Sequence, residues 1–133
     1  MIDPNPGQFV SAVFITFSGN CRKALTYYQT CFGGKLQFEM FGEALHGYAE
    51  TPVVSGSLIS DRIIIHGSDL VHNEGRTLGN YMAVFLHCKG MDDRQTLVGK
   101  LKINGEPPVA AHDVKQKLIE VTDAFDVRWV LGI

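Results

Sequence analysis

The chain has 133 residues, 45% hydrophobic and 20% charged, a balance typical of one globular domain with a buried core. Its formal net charge is −2 and its basic residues are scattered, which excludes a phosphate-tracking surface, so we expect no nucleic-acid partner. No apolar run could span a bilayer, and the first residues do not resemble a signal peptide. We therefore expect a cytoplasmic protein without a membrane partner.

The first half opens with a strand and a helix. Residues 9–17 are β-branched and aromatic without a breaker, which predicts a well-buried strand. Asn20 is predicted to be the N-cap of the helix, and Gly33 and Gly34 to end it, because glycine accepts the left-handed conformation common at helix C-termini. The predicted apolar stripe of this helix consists of Cys21, Ala24, Leu25, Tyr28, Cys31 and Phe32.

The rest of the first half alternates between strands and polar segments. The predicted order is a strand at 35–41, a loop at 42–53, a hairpin of strands 54–60 and 62–67 turning near Asp61, and a linker at 68–79.

The second half repeats this order. The predicted elements are a strand at 81–88, a helix from Asp92 or Asp93 to about Ile103, a stop at Asn104 and Gly105, and strands at 109–112, 115–123 and 127–133. The Gly19–Gly90 and Gly34–Gly105 spacings are equal, which indicates a repeated architecture. We predict an α+β fold in which one domain, 1–133, contains two paired βαβββ modules, at about 9–67 and 80–133.

The three cysteines allow two interpretations. Cys21 lies in the first turn of the predicted helix, where the helix dipole lowers a thiol pKa, so a redox role with Cys31 is one of them. Ten helical residues, however, separate the two thiols by about 15 Å, too far for a disulfide. The spacings also contain no CxxC. We therefore interpret both residues, and Cys88, as buried apolar side chains.

The stretch FSGNCRKALTYYQTCFGGKLQ resembles the first helix of the PhnB-like branch of the glyoxalase/bleomycin-resistance, or vicinal oxygen chelate, superfamily, a branch also labelled demethylubiquinone methyltransferase-like. The matching residues are Gly19, Asn20, Cys21, Ala24, Tyr27, Tyr28, Cys31, Phe32, Gly33 and Gly34. The ending TDAFDVRWVLGI is similar to that of the branch through Thr122, Asp123, Phe125 and Trp129. It departs from the branch at Asp126, where glycine is usual, and segment 109–121 lacks an aromatic stretch that the branch often carries.

The resemblance implies modules that form an open, barrel-like sheet with helices outside, a homodimer, and a small-molecule pocket in the concave face. In the enzymes of the superfamily, His and Glu from four strands hold a divalent metal there. The corresponding positions here are Val13, a position near Ser57, one near Tyr81, and Val130. Valine cannot bind a metal, and Ser or Tyr alone is a poor ligand set, so we predict no metal and no other cofactor.

The candidate ligand-binding residues are Ser57, Tyr81 and Arg128. Arg128 shares strand parity with Val130, so it is expected to point into the pocket and suit an anionic ligand. An alternative for Arg128 is an ion pair with Asp123 or Asp126 at the sheet edge. Trp129 has the opposite parity and is expected in the core, and the alternative for Tyr81 is packing in the wall of the pocket.

The histidines show no spacing typical of a metal site. His66 and His87 end strands, so each is expected either to face the pocket or to cap the sheet edge. A metal site unlike that of the superfamily, built from His46, Glu50, His66 or His112, is a disfavoured alternative.

Three functions remain open at this stage. The first is metal-free binding of a small molecule in the concave pocket. The second is a metal-dependent lyase or dioxygenase of the glyoxalase type with a displaced ligand set, and the third is a ligand-free structural dimer module. The sequence assigns no catalytic residue and leaves open whether the protein is an enzyme. No glycine-rich cofactor loop follows the first strand, so nothing supports methyl transfer.

Overall fold

A computed structural model describes residues 11–41, 51–69, 78–79, 81–102 and 117–133. The chain divides into two compact units, Met1–Thr77 and Leu78–Ile133. Each unit contains a helix and a β-sheet, so the predicted α+β class is confirmed.

The first unit follows the predicted strand, helix and three strands. Its elements are β1 (Val13–Phe17), α1 (Cys21–Phe32), β2 (Lys35–Met40), β3 (Val53–Ile59) and β4 (Ile64–Asp69). The sheet order is β1-β4-β3-β2, in which β1 runs parallel to β4 and the other neighbours are antiparallel. The β3–β4 hairpin turns between Ser60 and Ile63, as predicted.

Helix α1 confirms the predicted stripe in full, because the six apolar residues named above are its buried residues. The predicted end of the helix is also confirmed. Gly33 is its C-cap, with φ 72°, and the backbone N–H of Gly33 donates to Gln29. Gly34 follows with φ 100°, a conformation that favours glycine.

Strand β1 is less buried than predicted. Phe17 is buried, but Phe14 is 55% exposed and the three remaining side chains are only partly buried. The reason is that β1 is an edge strand of its sheet and α1 lies on one face only, so alternate side chains stay uncovered within the unit. At the other end of the unit, β4 runs through Ser68 and Asp69 and includes two residues predicted as linker.

The N-terminus of α1 is held by a residue that the sequence did not suggest. Asn20 is the N-cap residue, as predicted, and its carbonyl accepts from the N–H of Ala24, but its side chain makes no capping hydrogen bond. Asp69 pairs with the end of β1 in the sheet, which places its carboxylate beside the start of the helix. Oδ1 accepts hydrogen bonds from the N–H groups of Gly19 and Cys21, both at 2.9 Å, and Oδ2 accepts one from Val53 at 2.8 Å.

The second unit contains β5 (Val84–His87), α2 (Met91–Leu101), β6 (Leu118–Thr122) and β7 (Arg128–Gly132), with the sheet order β5-β7-β6. Strand β5 begins three residues later than predicted, and β6 is shorter than the predicted strand at 115–123. The predicted stop at Asn104 and Gly105 and the strand at 109–112 lie outside the described residues. No helix in the described part of the chain is long and apolar enough to cross a bilayer.

Helix α2 buries Leu97, Val98 and Leu101 and packs against β6 and β7. It also buries Arg94, which was not predicted; Nη1 of this side chain donates to the carbonyl of Lys117 at 3.1 Å. This hydrogen bond satisfies one donor of the buried guanidinium.

The C-terminal turn is built around Asp123, which is fully buried. Its Oδ1 accepts hydrogen bonds from the N–H groups of Phe125 at 2.8 Å and Val127 at 3.1 Å. Its Oδ2 accepts one from Trp129 Nε1 at 2.7 Å, and Trp129 lies in the core, as predicted. The matching residues of the sequence ending therefore have a structural role: they orient the last strand.

Candidate functional site

The first sheet has two chemically different faces. A Cβ added at Gly56 would lie 2.9 Å from Leu25 Cδ1, and one at Gly67 would lie 3.3 Å from Cys21 Sγ, so these positions face α1. Neighbouring residues in a strand point to opposite faces. Ser57 and His66 therefore lie on the face opposite α1.

Ser57 and His66 are directly opposite each other in the β3–β4 hairpin. Ser57 is fully buried, His66 is partly buried, and Ser57 Oγ lies 2.8 Å from His66 Nδ1. Burial lowers the pKa of His66 below its ordinary value of 6.5, so the imidazole is neutral at neutral pH. The pair can donate and accept hydrogen bonds without carrying a charge.

The structure does not bring Val13 to this face. Val13 is the partner of Ile65 in the β1–β4 register, and Ile65 neighbours His66, so Val13 lies on the α1 side. The β1 residue in the same row as His66 and Ser57 is Phe14. The expectation that Val13 and Ser57 line one site is therefore wrong, because the two positions differ in strand parity.

In the second unit, Arg128 and Val130 share the face opposite buried Trp129 and Leu131, as predicted for Arg128. Three hydrogen bonds hold the Arg128 guanidinium. Nε donates to Glu120 Oε1 at 2.9 Å, Nη2 donates to the same oxygen, and Nη1 donates to the carbonyl of Met82 at 3.0 Å.

The structure shows Glu120 as an acidic partner of Arg128, a residue that the sequence did not suggest, and the pairing with Asp123 or Asp126 stays a prediction. Glu120 lies directly opposite Val130 in the β6–β7 register, and Thr122 lies opposite Arg128. Glu120 and Arg128 are therefore diagonal neighbours on one face, a distance that long side chains can bridge with an ion pair.

Tyr81 precedes β5 and is 86% exposed, so its side chain packs in no wall within the second unit. Two more apolar side chains, Phe85 and Leu118, flank Gly132 on the face that carries Arg128. Both are 56% exposed. This face therefore combines an ion pair with exposed aromatic and aliphatic surface.

The thiols have the properties of core side chains. Cys21, Cys31 and Cys88 are free and buried. Burial, with a smaller contribution from the nearby Asp69 carboxylate, raises the pKa of Cys21 from 9.0 to about 12. The redox interpretation of Cys21 is wrong, since burial and this carboxylate outweigh the helix dipole and keep the thiol protonated.

Within the described ranges, no three His, Cys, Asp or Glu side chains are grouped closely enough to hold a metal ion. His46, Glu50 and His112, named for the alternative metal site, lie outside these ranges. The four positions carried over from the superfamily do not fit a divalent ion either, because two are valines and Ser57 is hydrogen-bonded to an imidazole.

The sequence suggested that His66 either faces a pocket or caps the sheet edge, but it did not suggest its pairing with Ser57. The predicted turn near Asp61 would place Ser57 opposite Ile65, one position away from its partner. A turn between residues 60 and 63 places residues at equal distances from its centre opposite each other, and Ser57 and His66 are such a pair. Asp69 offered no comparable signal, because its partners are distant in sequence.

Comparison with known proteins places this arrangement in a known fold. No family model matches the sequence. The chain is similar to protein YjdN of Escherichia coli (strain K12), with 24% identity over 135 residues that cover 90% of this chain and 92% of YjdN.

Two solved structures are also similar. A PhnB protein from Bacillus cereus has a TM-score of 0.72 and 20% identity, and the match covers 92% of this chain and 97% of that one. A member of the glyoxalase/bleomycin resistance protein/dioxygenase superfamily from Sphaerobacter thermophilus DSM 20745 has a TM-score of 0.52 and 15% identity, covering 93% and 97%. The resemblance found in the sequence is confirmed in the fold, which is that of PhnB-like proteins of the glyoxalase/bleomycin-resistance superfamily.

Proposed function

We propose that the chain is a PhnB-like protein that binds a small molecule on the face of its first sheet opposite α1, without the metal of the superfamily. The observation that carries the proposal is the hydrogen bond between Ser57 and His66. A fully buried hydroxyl paired with a neutral imidazole is a fixed polar group, and such groups give small-molecule sites their orientation and specificity.

The surroundings of this pair suit a ligand with both polar and apolar parts. Phe14 lies in the same row on β1 and is largely exposed, so it offers an apolar surface beside the imidazole. Ser68 is two residues from His66 on the same face of β4 and adds a hydroxyl group. No charged side chain is a direct sheet neighbour of His66 on this face.

A metal-dependent lyase or dioxygenase is less well supported by the donor atoms. Val13 and Val130, two of the four positions that correspond to the metal ligands of the superfamily, have no donor atom in their side chains. Val13 also lies on the α1 side of its sheet. Ser57 is a weak ligand for a divalent ion and already has an imidazole partner.

Ligand-observed NMR with a mixed set of small carboxylates, ketones, amides and polyols tests the binding. We expect at least one compound to bind the wild type and to lose its signal with His66→Ala. Ser55→Ala is the matched control and should keep the signal, because Ser55 lies on the same face of the sheet but its hydroxyl faces Glu39 Oε2 at 3.5 Å. Absence of binding by every compound would favour the ligand-free structural module.

Elemental analysis tests the absence of a metal in protein purified without chelators. We expect less than stoichiometric Zn, Ni, Mn and Fe, and no rise in Tm when these ions are added. A stoichiometric divalent ion that disappears in the His66→Ala variant would overturn the metal-free proposal and support the metal-dependent alternative.

We further propose that the protein is cytoplasmic and, from the resemblance, that it is a homodimer. Light scattering coupled to size-exclusion chromatography measures its mass in solution. A mass near twice the 14.7 kDa of one chain is expected, and the monomer mass at all concentrations would contradict the proposal.

A further inference from the structure

The hydroxyl proton of Ser57 has only one acceptor among the described residues. That acceptor is His66 Nδ1, at 2.8 Å from a serine side chain that is fully buried. If Nδ1 carried the ring proton, it would donate to Ser57 Oγ and leave the hydroxyl proton buried without an acceptor in the described structure. An unsatisfied buried donor costs about 1–3 kcal/mol, so Ser57 is the donor and Nδ1 the acceptor.

The direction of this hydrogen bond fixes the tautomer of His66. A neutral imidazole carries one proton, and a ring that accepts at Nδ1 carries it on Nε2. The sheet neighbours of His66 on this face are Phe14 on β1 and Ser57 on β3. Lys35 and Glu39, the ionisable residues of β2, lie two strands away, so neither is a direct sheet neighbour of the ring.

We infer that His66 presents an Nε2–H donor and that the site recognises its ligand through an acceptor oxygen, either a carbonyl or a carboxylate. Ser57 is the positioning residue that fixes the tautomer, and Phe14 offers apolar contact to the remainder of the ligand. This inference rests on the proposed function, because it gives the chemical class of the ligand for the same site. Among the described residues, the direct sheet neighbours of the neutral His66 ring include neither a cation nor a carboxylate, so the site suits one oxygen acceptor rather than a protonated amine.

Long-range ¹H–¹⁵N NMR of the imidazoles at neutral pH reads the tautomer in the ligand-free protein, with the His66 signal assigned from its loss in His66→Gln. We expect the proton on Nε2. Ser57→Ala should give a detectable second population protonated on Nδ1, because nothing then holds the ring. Ser55→Ala is the matched control: Ser55 is on the same strand and face, but its hydroxyl lies 3.5 Å from Glu39 Oε2, so the tautomer should not change.

Three probes then test the ligand class by the shift of the His66 ring signals: acetone, acetate and methylammonium. We expect acetone or acetate to bind at least about tenfold more tightly than methylammonium, because only acceptors complement an N–H donor. Tighter binding of acetate assigns a carboxylate, and comparable binding of the two assigns a carbonyl.

The contrary results separate this inference from the proposed function. A wild-type ring protonated on Nδ1, or a shift caused by methylammonium alone, overturns the donor assignment but leaves small-molecule binding standing. No shift with any of the three probes, together with no binding in the wider NMR set, contradicts both.

Discussion

The two helices begin in different ways. The first backbone N–H groups of α1 are bound by Asp69, a residue 48 to 50 positions away at the end of a strand. At α2 the hydrogen bond is local, since Asp93 Oδ2 accepts from the N–H of Lys89 at 2.9 Å, and Asp92 adds a second acid in the first turn. The start of α1 therefore depends on a long-range contact, whereas the start of α2 uses a local one.

This difference determines how many structural elements are affected by a single substitution. Asp69 joins three parts of the first unit, because its oxygens also accept the N–H of Val53 at the start of β3. Losing this carboxylate would affect a helix start and two strand ends together. Losing Asp93 would affect one turn, since its capping hydrogen bond spans only four residues.

The largest expected effect is that of Asp69→Asn. The amide keeps the shape of the side chain but replaces one acceptor oxygen with a donor, so at least one buried backbone N–H loses its partner. We expect the free energy of unfolding to fall by about 3–5 kcal/mol, because hydrogen bonds to a buried carboxylate are lost. Urea denaturation followed by circular dichroism measures the change.

Asp93→Asn is the control for Asp69→Asn. An exposed amide oxygen can still accept the hydrogen bond from Lys89, so we expect a cost below about 0.5 kcal/mol. Similar costs for the two substitutions would show that the difference between distant and local capping has no energetic meaning.

The second prediction concerns the end of α1, where distant and local constraints act on adjacent residues. A Cβ at Gly34 would lie 2.2 Å from the carbonyl oxygen of Ile59 on β3, whereas one at Gly33 would meet nothing within 4 Å. Both have positive φ, so alanine is strained at either position. We expect Gly34→Ala to cost about 2–4 kcal/mol and Gly33→Ala about 1 kcal/mol.

Thermal unfolding of the two glycine variants measures this difference. Gly33→Ala serves as the control because it shares the backbone strain and lacks the clash. Equal Tm values would mean that β3 moves away at little cost, and the close approach of α1 and β3 would then not constrain the first unit.

The distinction between local and long-range contacts also explains which features the sequence could predict. The stripe of α1, the Gly33 end and the β3–β4 hairpin were predictable because their signals lie within a few residues of each other. The role of Asp69 was not, because it depends on β4 lying beside β1 in the sheet. The sequence correctly predicted Asn20 as the N-cap residue, but a short-range rule could not detect that a carboxylate on a distant strand accepts the N–H groups at the start of the helix.

The candidate site was predicted in part for the same reason. Ser57 was predicted to bind the ligand, but His66 was predicted only to face the pocket or to cap the sheet edge. The register of the hairpin brings the two residues together. Val13 was assigned by counting residues from Gly19, and a count can be wrong by one position. In a strand, an error of one position reverses the face to which a side chain points. Val13 and Ser57, which were predicted to line one site, therefore lie on opposite faces of the sheet.

The third prediction uses Cys21, whose N–H binds Asp69 and whose thiol is buried beside that carboxylate. Its pKa is raised from 9.0 to about 12, so the folded state keeps the proton that the unfolded state releases above pH 9. This contribution to stability is complete below pH 9 and is lost as the pH rises towards 12. We expect the free energy of unfolding to fall by up to about 1.4 kcal/mol per pH unit across this range.

Urea unfolding at pH 8, 9 and 10 measures this slope, with Cys21→Ala as the control that removes the titrating group. The variant should be less stable at pH 8 and show a shallower slope above pH 9. Equal slopes would mean that the thiol is not held protonated by its surroundings. Thiol reagents at pH 8 should then also modify Cys21 in the folded protein, which we do not expect.

The smallest expected effect lies in the second unit, at Asp126. This residue has φ 66°, and its N–H donates to the carbonyl of Asp123 in a tight local turn. The sequence marked it as a departure from the glycine usual in the PhnB-like branch, and the backbone explains why glycine suits the position. Asp tolerates a left-handed conformation better than most residues, so Asp126→Gly should change the free energy of unfolding by less than about 1 kcal/mol.

Asp126→Val provides the contrast, because a β-branched side chain is poorly tolerated at positive φ, and a loss of about 1–2 kcal/mol is expected. Urea denaturation of both variants measures the pair. The loss should stay within the turn, since the Asp123 carboxylate still accepts the N–H of Phe125 and of Trp129. An Asp126→Val effect as large as that of Asp69→Asn would show that the second unit also depends on a single residue, and the contrast between the two units would fail.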